Sequence, residues 1–531
     1  MGIVKILSSS HRQKISQFAR NVTVEPLLPL YIIASVLTAY AAQNLYLDKA
    51  CRVNLGYSDE ICDALKRKDS NNLTEVEIDV QKVVVNMQKW KIVIQSFIPC
   101  LLILFVGSWS DRHGRRKPCM LIPIFGELVS SAGLALNVYF KDLPMEVAGI
   151  TEALFEGITG GWATMLMGAF SYIADITNEN DRTLRIGIAN TFFSIGLPIA
   201  MGSVGILLRL TGYYGVFLIS TTIHLIAFFY ALFWIKESSK SQKTVLNKSE
   251  SSKGTQNIDK ATPSSSIPPQ NQTSNKNFIL DFFDPTNPIE TFKIVFIRGQ
   301  RLKISILLFV VILVVGPMHG EQAVMYLYTR LKFNWNEIDY SVYFTFSTLI
   351  TMCGTITTIF VLSTVLKIND ALIGAIGSLS KIMASFIYAF AVTSLQFYFG
   401  PVVEFIHYAS FIAMRSIASK IVGVDERARL NSLVGLIESL APSIYGPMYS
   451  KIYDTTITFF PGAFYLVGGG LKVIALLIFF KMYISFKRKQ NVSYDVEDVP
   501  KDTERMSETE LGYGKHKAIF TIGDILSLHV T

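Results

Sequence analysis

Twelve apolar runs, each long enough to cross a lipid bilayer as a helix, constrain this chain more than any other feature. A helix rises about 1.5 Å per residue, so about 20 residues cover the hydrocarbon core. The runs fall near 26–47, 83–108, 118–140, 147–174, 185–208, 213–235, 303–328, 339–365, 371–393, 397–421, 430–453 and 461–486. Only 17% of residues are charged and the mean hydropathy is +0.38, against about 25% charged in a soluble domain. The expected fold is an all-α polytopic membrane protein with twelve transmembrane helices in two six-helix halves. Backbone groups find no water in the hydrocarbon, so helices satisfy them internally.

Charge sets the expected topology. The densest basic cluster, in Gly107-Ser108-Trp109-Ser110-Asp111-Arg112-His113-Gly114-Arg115-Arg116-Lys117, joins the second and third runs. Lysine and arginine beside a span resist translocation, which places this loop and both termini in the cytoplasm. The net charge of +8 also fits a nucleic-acid partner, but the cations cluster beside apolar runs, so topology accounts for them and no nucleic acid is expected. The division that follows is a cytoplasmic segment 1–25, an N-terminal half 26–235, a cytoplasmic linker 236–302, a C-terminal half 303–486 and a polar, disordered tail 487–531. Residues 277–301 are apolar enough to form a helix on the membrane surface. The N-terminal segment has no apolar core with a small-residue cleavage site, so the first span is expected to act as an uncleaved insertion signal.

The ordered pattern Gly-x-x-x-Asp-Arg-x-Gly-Arg-Arg is more specific than a basic patch, and it resembles the loop between helices 2 and 3 of the major facilitator superfamily. The resemblance implies a gating motif of Gly107, Asp111, Arg112, Gly114, Arg115 and Arg116, whose charge network stabilises the outward-facing state. Gly107 and Gly114 would permit a tight turn and close helix approach. A basic loop that only fixes topology is the plainer reading. The second copy, expected after helix 8, has shrunk to Lys367-Ile368-Asn369-Asp370.

Ionisable residues inside spans each cost about 2.5–3.5 kcal/mol on insertion, so each needs a partner or a wet cavity. Glu127 and Glu156 lie near mid-membrane, and Glu152 shares a face with Glu156. His319 and Glu321 lie in the seventh span; Glu404, His407 and Arg415 in the tenth. A carboxyl removed from water holds its proton more tightly and histidine titrates near neutrality, so Glu127, Glu156, His319, Glu321 and His407 are candidates for proton coupling. Arg415 offers a fixed positive charge for an anion. Lys381, Lys472 and Glu438 are expected merely to pair across helices. Pro198, Gly316-Pro317, Gly400-Pro401, Pro442 and Gly446-Pro447 mark candidate kinks.

Cys51 and Cys62 lie in a loop placed outside the cytosol, where a disulfide or two free thiols would fit. Of five glycosylation sequons, topology leaves Asn72 as the glycan acceptor. No metal-ligand spacing and no phosphate-binding glycine loop occurs in the sequence, so no metal, cofactor or ATP drive is expected, and no enzyme activity. A proton gradient would supply the driving force.

At finer grain the chain resembles the proton-coupled folate transporter family of solute carriers. The resemblance runs through Val24-Glu25-Pro26, Asp48-Lys49-Ala50-Cys51, Ala174-Asp175-Ile176-Thr177, Arg182-Thr183-Leu184-Arg185, Met414-Arg415-Ser416-Ile417-Ala418-Ser419-Lys420 and Ile437-Glu438-Ser439-Leu440. It implies uptake of a small organic anion with protons by alternating access, at the plasma or lysosomal membrane. Arg415 matches its helix 10 arginine in substrate binding and coupling, and His319 lies beside the position of its helix 7 histidine. At Asn190 the chain departs from the folate member, which has a glutamate there. Two other readings remain: a lysosomal exporter of small conjugates or muropeptide-like products, and a transporter-like receptor without turnover.

Overall fold

A computed structural model describes residues 23–68, 73–177, 179–237, 282, 301–421 and 424–497. The described residues are helical and contain no strand. In the N-terminal half the elements are α1 (Leu27–Lys49), the short α2 (Asp59–Arg67), α3 (Thr74–His113), α4 (Lys117–Tyr139), α5 (Met145–Thr159), α6 (Gly161–Ile176) and α7 (Glu179–Phe233). The C-terminal half holds α8 (Arg301–Lys332), α9 (Glu337–Thr357), α10 (Asp370–Phe390), α11 (Ser394–Val403), α12 (Ala409–Ile421), α13 (Val424–Thr456) and α14 (Ala463–Glu497).

Eight of these helical stretches are long and apolar enough to cross a membrane. The difference from twelve runs has local causes. The fourth run is split into α5 and α6 at Gly160 and Gly161, whose φ values of +89° and +51° suit glycine and break the helix. The tenth is split between α11 and α12 by the turn after Val403. The fifth and sixth share α7, which reverses at Gly212 (φ 67°). The eleventh, α13, is too polar to qualify by composition alone.

The breaks do not fall at the prolines. Pro198, Pro317, Pro401, Pro442 and Pro447 all sit inside helices, while the helices end or reverse at the glycines above, and a π-helical turn, Thr358–Val365, follows α9. The glycines beside them serve packing instead. A Cβ on Gly316 would lie 2.2 Å from the Tyr445 ring, and one on Gly320 2.4 Å from Tyr449, so α8 and α13 approach closely there. The tail expectation is also corrected at its start, because α14 stays helical to Glu497. Of the linker, only Lys236, Glu237, Phe282, Arg301 and Leu302 are among the described residues, and the Phe282 ring stands 6.3 Å from Trp109.

The two ends of the bundle differ. One carries α2, where the structure joins Cys51 and Cys62 in a disulfide with Cα atoms 5.9 Å apart. The other carries the basic loop after α3. They are called the Cys51 end and the Asp111 end below.

Candidate functional site

Polar side chains that a bilayer would exclude are gathered into two buried clusters, one in each half. In the N-terminal half, Glu127 of α4 and Glu152 of α5 are buried, and Glu156 lies one turn from Glu152, just before the Gly160 break. Lys91 of α3 pairs with Glu152 at 2.7 Å, and its ammonium stands 4.9 Å from the Tyr46 ring centre. Tyr46 donates to Glu152, and Gln95 donates to Glu156 at 2.6 Å and to Glu152 at 3.3 Å. Tyr31 of α1 donates to Glu127 at 3.3 Å. Three carboxylates therefore stand in a cluster with one lysine, which pairs with Glu152.

The C-terminal cluster is built around Lys381 of α10. Its ammonium is 2.7 Å from Glu321 of α8 and 2.7 Å from Glu404, in the turn that splits the tenth run. Tyr388 donates to Glu404 at 2.7 Å, and His407 Nδ1 stands 2.8 Å from the Glu404 carbonyl oxygen. Lys472 of α14 is buried at 3% exposure, yet among the described residues it has no carboxylate within 4 Å and donates only to Ser410 Oγ, at 3.5 Å. A cavity of about 30 Å³ opens beside Lys381, Glu404, His407, Ser410, Phe411 and Lys472, room for about one water.

The expected pairing across helices is found for Lys381, which meets Glu321 of α8 and Glu404, and is corrected for Lys472. Lys381 organises its cluster, and Lys472 is left without a counterion because the nearby acids are taken by Lys381. Arg415 lies on α12, beyond the turn that holds His407. It pairs with Glu438 at 2.6 Å, packs over the Phe411 ring at 4.9 Å and is half exposed toward the Asp111 end. His319 is half-buried and has no hydrogen bond or ion pair among the described residues, so the structure leaves it outside the cluster that contains Glu321.

At the Asp111 end, Arg116 is the centre of the motif. It is buried, and its guanidinium bridges Asp111 at 2.6 Å and Asp175 at 2.9 Å. Burial lowers and the two carboxylates raise its hold on the proton, with a net rise. Glu237 accepts from the Arg116 and Lys117 backbone N–H groups at 2.7 and 3.1 Å. Arg112 and Arg115 are exposed, although Arg115 supplies a carbonyl to Ser110 at 2.7 Å. Gly114 (φ 64°) ends α3 as expected of a glycine cap, but a Cβ on Gly107 would meet nothing within 4 Å, so the expected close approach there is corrected. In the second half Asp370 still pairs with Lys420 and accepts from Ser416 at 2.8 Å.

At the Cys51 end the halves are locked together. Arg330, near the end of α8, pairs with Glu77 of α3 at 2.8 Å, and Lys68 pairs with Glu77 at 2.9 Å. Gln81 donates to the Leu327 carbonyl at 3.1 Å and accepts from Tyr453 at 2.8 Å, while Lys89 meets Asp454 at 2.9 Å. Burial and the neighbouring Arg330 push the Lys68 ammonium down to about 8, against the opposing pull of Glu77. None of this latch was found from sequence. Its partners are 253 residues apart, and only an unmatched acid before the second run and an unmatched arginine near the end of the seventh hinted at it. Asn72 lies outside the described residues.

A profile of the Major Facilitator Superfamily matches residues 31–446. A Drosophila melanogaster protein named a probable peptidoglycan muropeptide transporter is 23% identical over 89% of this chain and 87% of its own. A Gallus gallus lysosomal proton-coupled steroid conjugate and bile acid symporter is 25% identical over 85% of this chain and 92% of its own. The Rattus norvegicus proton-coupled folate transporter is 22% identical over 90% and 95%. Among solved structures, a D-xylose-proton symporter superposes with a TM-score of 0.58 at 13% identity, covering 87% of this chain and 98% of that one.

Proposed function

Because the chain belongs to the Major Facilitator Superfamily, we propose that it is a secondary transporter that carries a small organic anion together with protons, by alternating access between the Cys51 and Asp111 ends. The observation that carries this reading is the unequal charge of the two clusters. The N-terminal cluster has more carboxylates than cations to neutralise them, so protons must complete it. The C-terminal cluster holds an ammonium, Lys472, with no carboxylate of its own, and leads toward Arg415, so an anion completes it.

The working cycle follows from these groups. Protons reach Glu127 and Glu156 from the Cys51 side, which the charge pattern makes the outside or the lumen. An anion settles between the halves near Lys472 and Arg415. The Glu77–Arg330 latch then closes behind both, the arrangement seen in the structure, and Arg415 faces the cytoplasm. Release of the anion restores the Arg415–Glu438 pair. Arg116, held between Asp111 and Asp175, keeps the N-terminal half rigid at the cytoplasmic end during the exchange.

Three named relatives divide the substrate question between folates, steroid conjugates with bile acids, and muropeptides. Their shared chemistry is an organic anion with a bulky body. Entry at the plasma membrane and export from a lysosome run in the same direction through the protein, because the acidic side meets the Cys51 end in both. The test is uptake of labelled methotrexate, a steroid sulfate and a muramyl dipeptide at about pH 5.5 and about pH 7.4 in cells with the protein at the surface. Saturable uptake of one, stimulated by acid, is expected. Saturable binding with no concentrative uptake would replace transport by a receptor.

A further inference from the structure

The sixth span contributes a buried polar residue that the transport reading leaves unused. His224, in the second limb of α7, has no exposed surface. Its Nε2 lies 3.4 Å from Ser35 Oγ on α1, and its Nδ1 is buried without a partner. Its ring meets Tyr31 edge-on at 6.1 Å between centres. Tyr31 and Ser35 are one helical turn apart, so both stand between His224 and Glu127. Tyr31 donates to Glu127, and Ser35 faces the same carboxylate. The other ionisable groups facing Glu127 are Glu152 and Glu156 from α5, with Lys91 of α3 held on Glu152.

A neutral imidazole has one donor and one acceptor nitrogen. If the hydrogen sat on Nδ1, a buried N–H would be left without an acceptor, the rarer and costlier defect. With the hydrogen on Nε2, His224 donates to Ser35 and only a lone pair is left alone. Ser35 Oγ then accepts from the histidine, and its own hydrogen is free to turn toward Glu127. A leucine would fill the same volume without burying a polar atom, so packing alone gives no reason for histidine here.

We propose that His224 is a positioning residue for Glu127: by donating from Nε2 to Ser35 it aims the Ser35 hydroxyl at the carboxylate and so sets how readily Glu127 takes up and releases its proton. This rests on the reading of Glu127 as a proton carrier. A hydrogen bond from the Ser35 hydroxyl, so aimed, favours the ionised carboxylate, and without it the proton is harder to release.

The test needs no substrate. Purified full-length protein in lipid vesicles is titrated while the carboxylic C=O absorption is followed by infrared difference spectroscopy, with Glu127→Gln used to assign the band. In Ser35→Ala and His224→Leu the midpoint is expected to move up by about one pH unit, because a hydrogen bond to a charge is lost. His224→Gln, whose amide can still donate from nearly the same place, is expected to keep the wild-type midpoint. Ser35→Ala gives the answer even if His224→Leu does not fold. An unmoved midpoint in Ser35→Ala overturns the proposal, as does a His224→Gln shift equal to that of His224→Leu or a Glu127→Gln spectrum that lacks no titrating band. The transport reading fails separately, if no labelled anion is taken up.

Discussion

In the N-terminal half one buried lysine, Lys91, pairs with Glu152 in a cluster that also holds Glu127 and Glu156, whereas in the C-terminal half Lys381 pairs with Glu321 and Glu404 and leaves Lys472 with Ser410 alone. The two clusters occupy related positions in two six-helix halves, yet they bury charge in opposite ways. Burying ions costs more than their attraction returns unless each is paired or neutralised. An excess of carboxylates is neutralised by protons. An unpaired ammonium is neutralised by an anion that arrives from outside. Under the proposed transport cycle, the first half takes up protons and the second holds the anion.

The comparison can be broken most forcefully at its lysines. Lys381→Met leaves Glu321 with no donor and Glu404 with Tyr388 and His407 only, a loss of about 3–5 kcal/mol. Lys91→Met should cost only about 1–2 kcal/mol, because Tyr46 and Gln95 still donate to Glu152. Thermal unfolding in detergent compares the two directly. Equal losses would mean that the clusters do not differ in how they are neutralised.

The next effect separates the roles. Glu156→Gln is expected to flatten the pH dependence of uptake while the KM for the anion stays within about threefold. Arg415→Ala is expected to reduce uptake at least about tenfold at equal surface level while the pH midpoint stays put. Normal uptake in Arg415→Ala, or a shifted pH midpoint, would remove the division of labour between the halves.

The smallest effect concerns the latch at the Cys51 end. Lys68 keeps its proton up to about pH 8 in the closed state and up to near its ordinary 10.5 when exposed. Below about pH 8 the lysine is charged in both states, and closure carries the full cost of burying that charge. As pH rises from about 8 toward 10.5 the closed state sheds the proton first, so closure becomes more favourable. Acid stimulation near pH 5.5 therefore does not arise at Lys68. Lys68→Met should leave the acid response of uptake unchanged and abolish an alkaline rise in the closed population, followed by distances between spin labels across the Cys51 end.

Much of the fold could be read from the residues, for definite reasons. Apolar runs must be helical in a bilayer, and Arg182, Arg185 and the 107–117 cluster mark charged loops between them. Glu152 and Glu156 were recognisable as one face, because four residues make about one turn. The site was less legible. The pairing expected of Lys381 is present, but Lys472 was given a partner that it lacks among the described residues, since a sequence gives the depth of a residue in a span but not the direction it faces. His224 drew no attention, because a single histidine in an apolar run carries no periodicity.

Sequence by itself determined the membrane class and the two-half architecture and marked the charged motif after α3, because hydrophobic length and local charge act within a few residues of where they are written. Only the tertiary structure decided which acid pairs with Lys91, that Lys472 lacks a counterion, and that Glu77 meets Arg330 across 253 residues. Those outcomes depend on how helices rotate and lean against one another, and inside a bilayer that is set by close packing at residues such as Gly316 and Gly320 and by the pairing of buried charges.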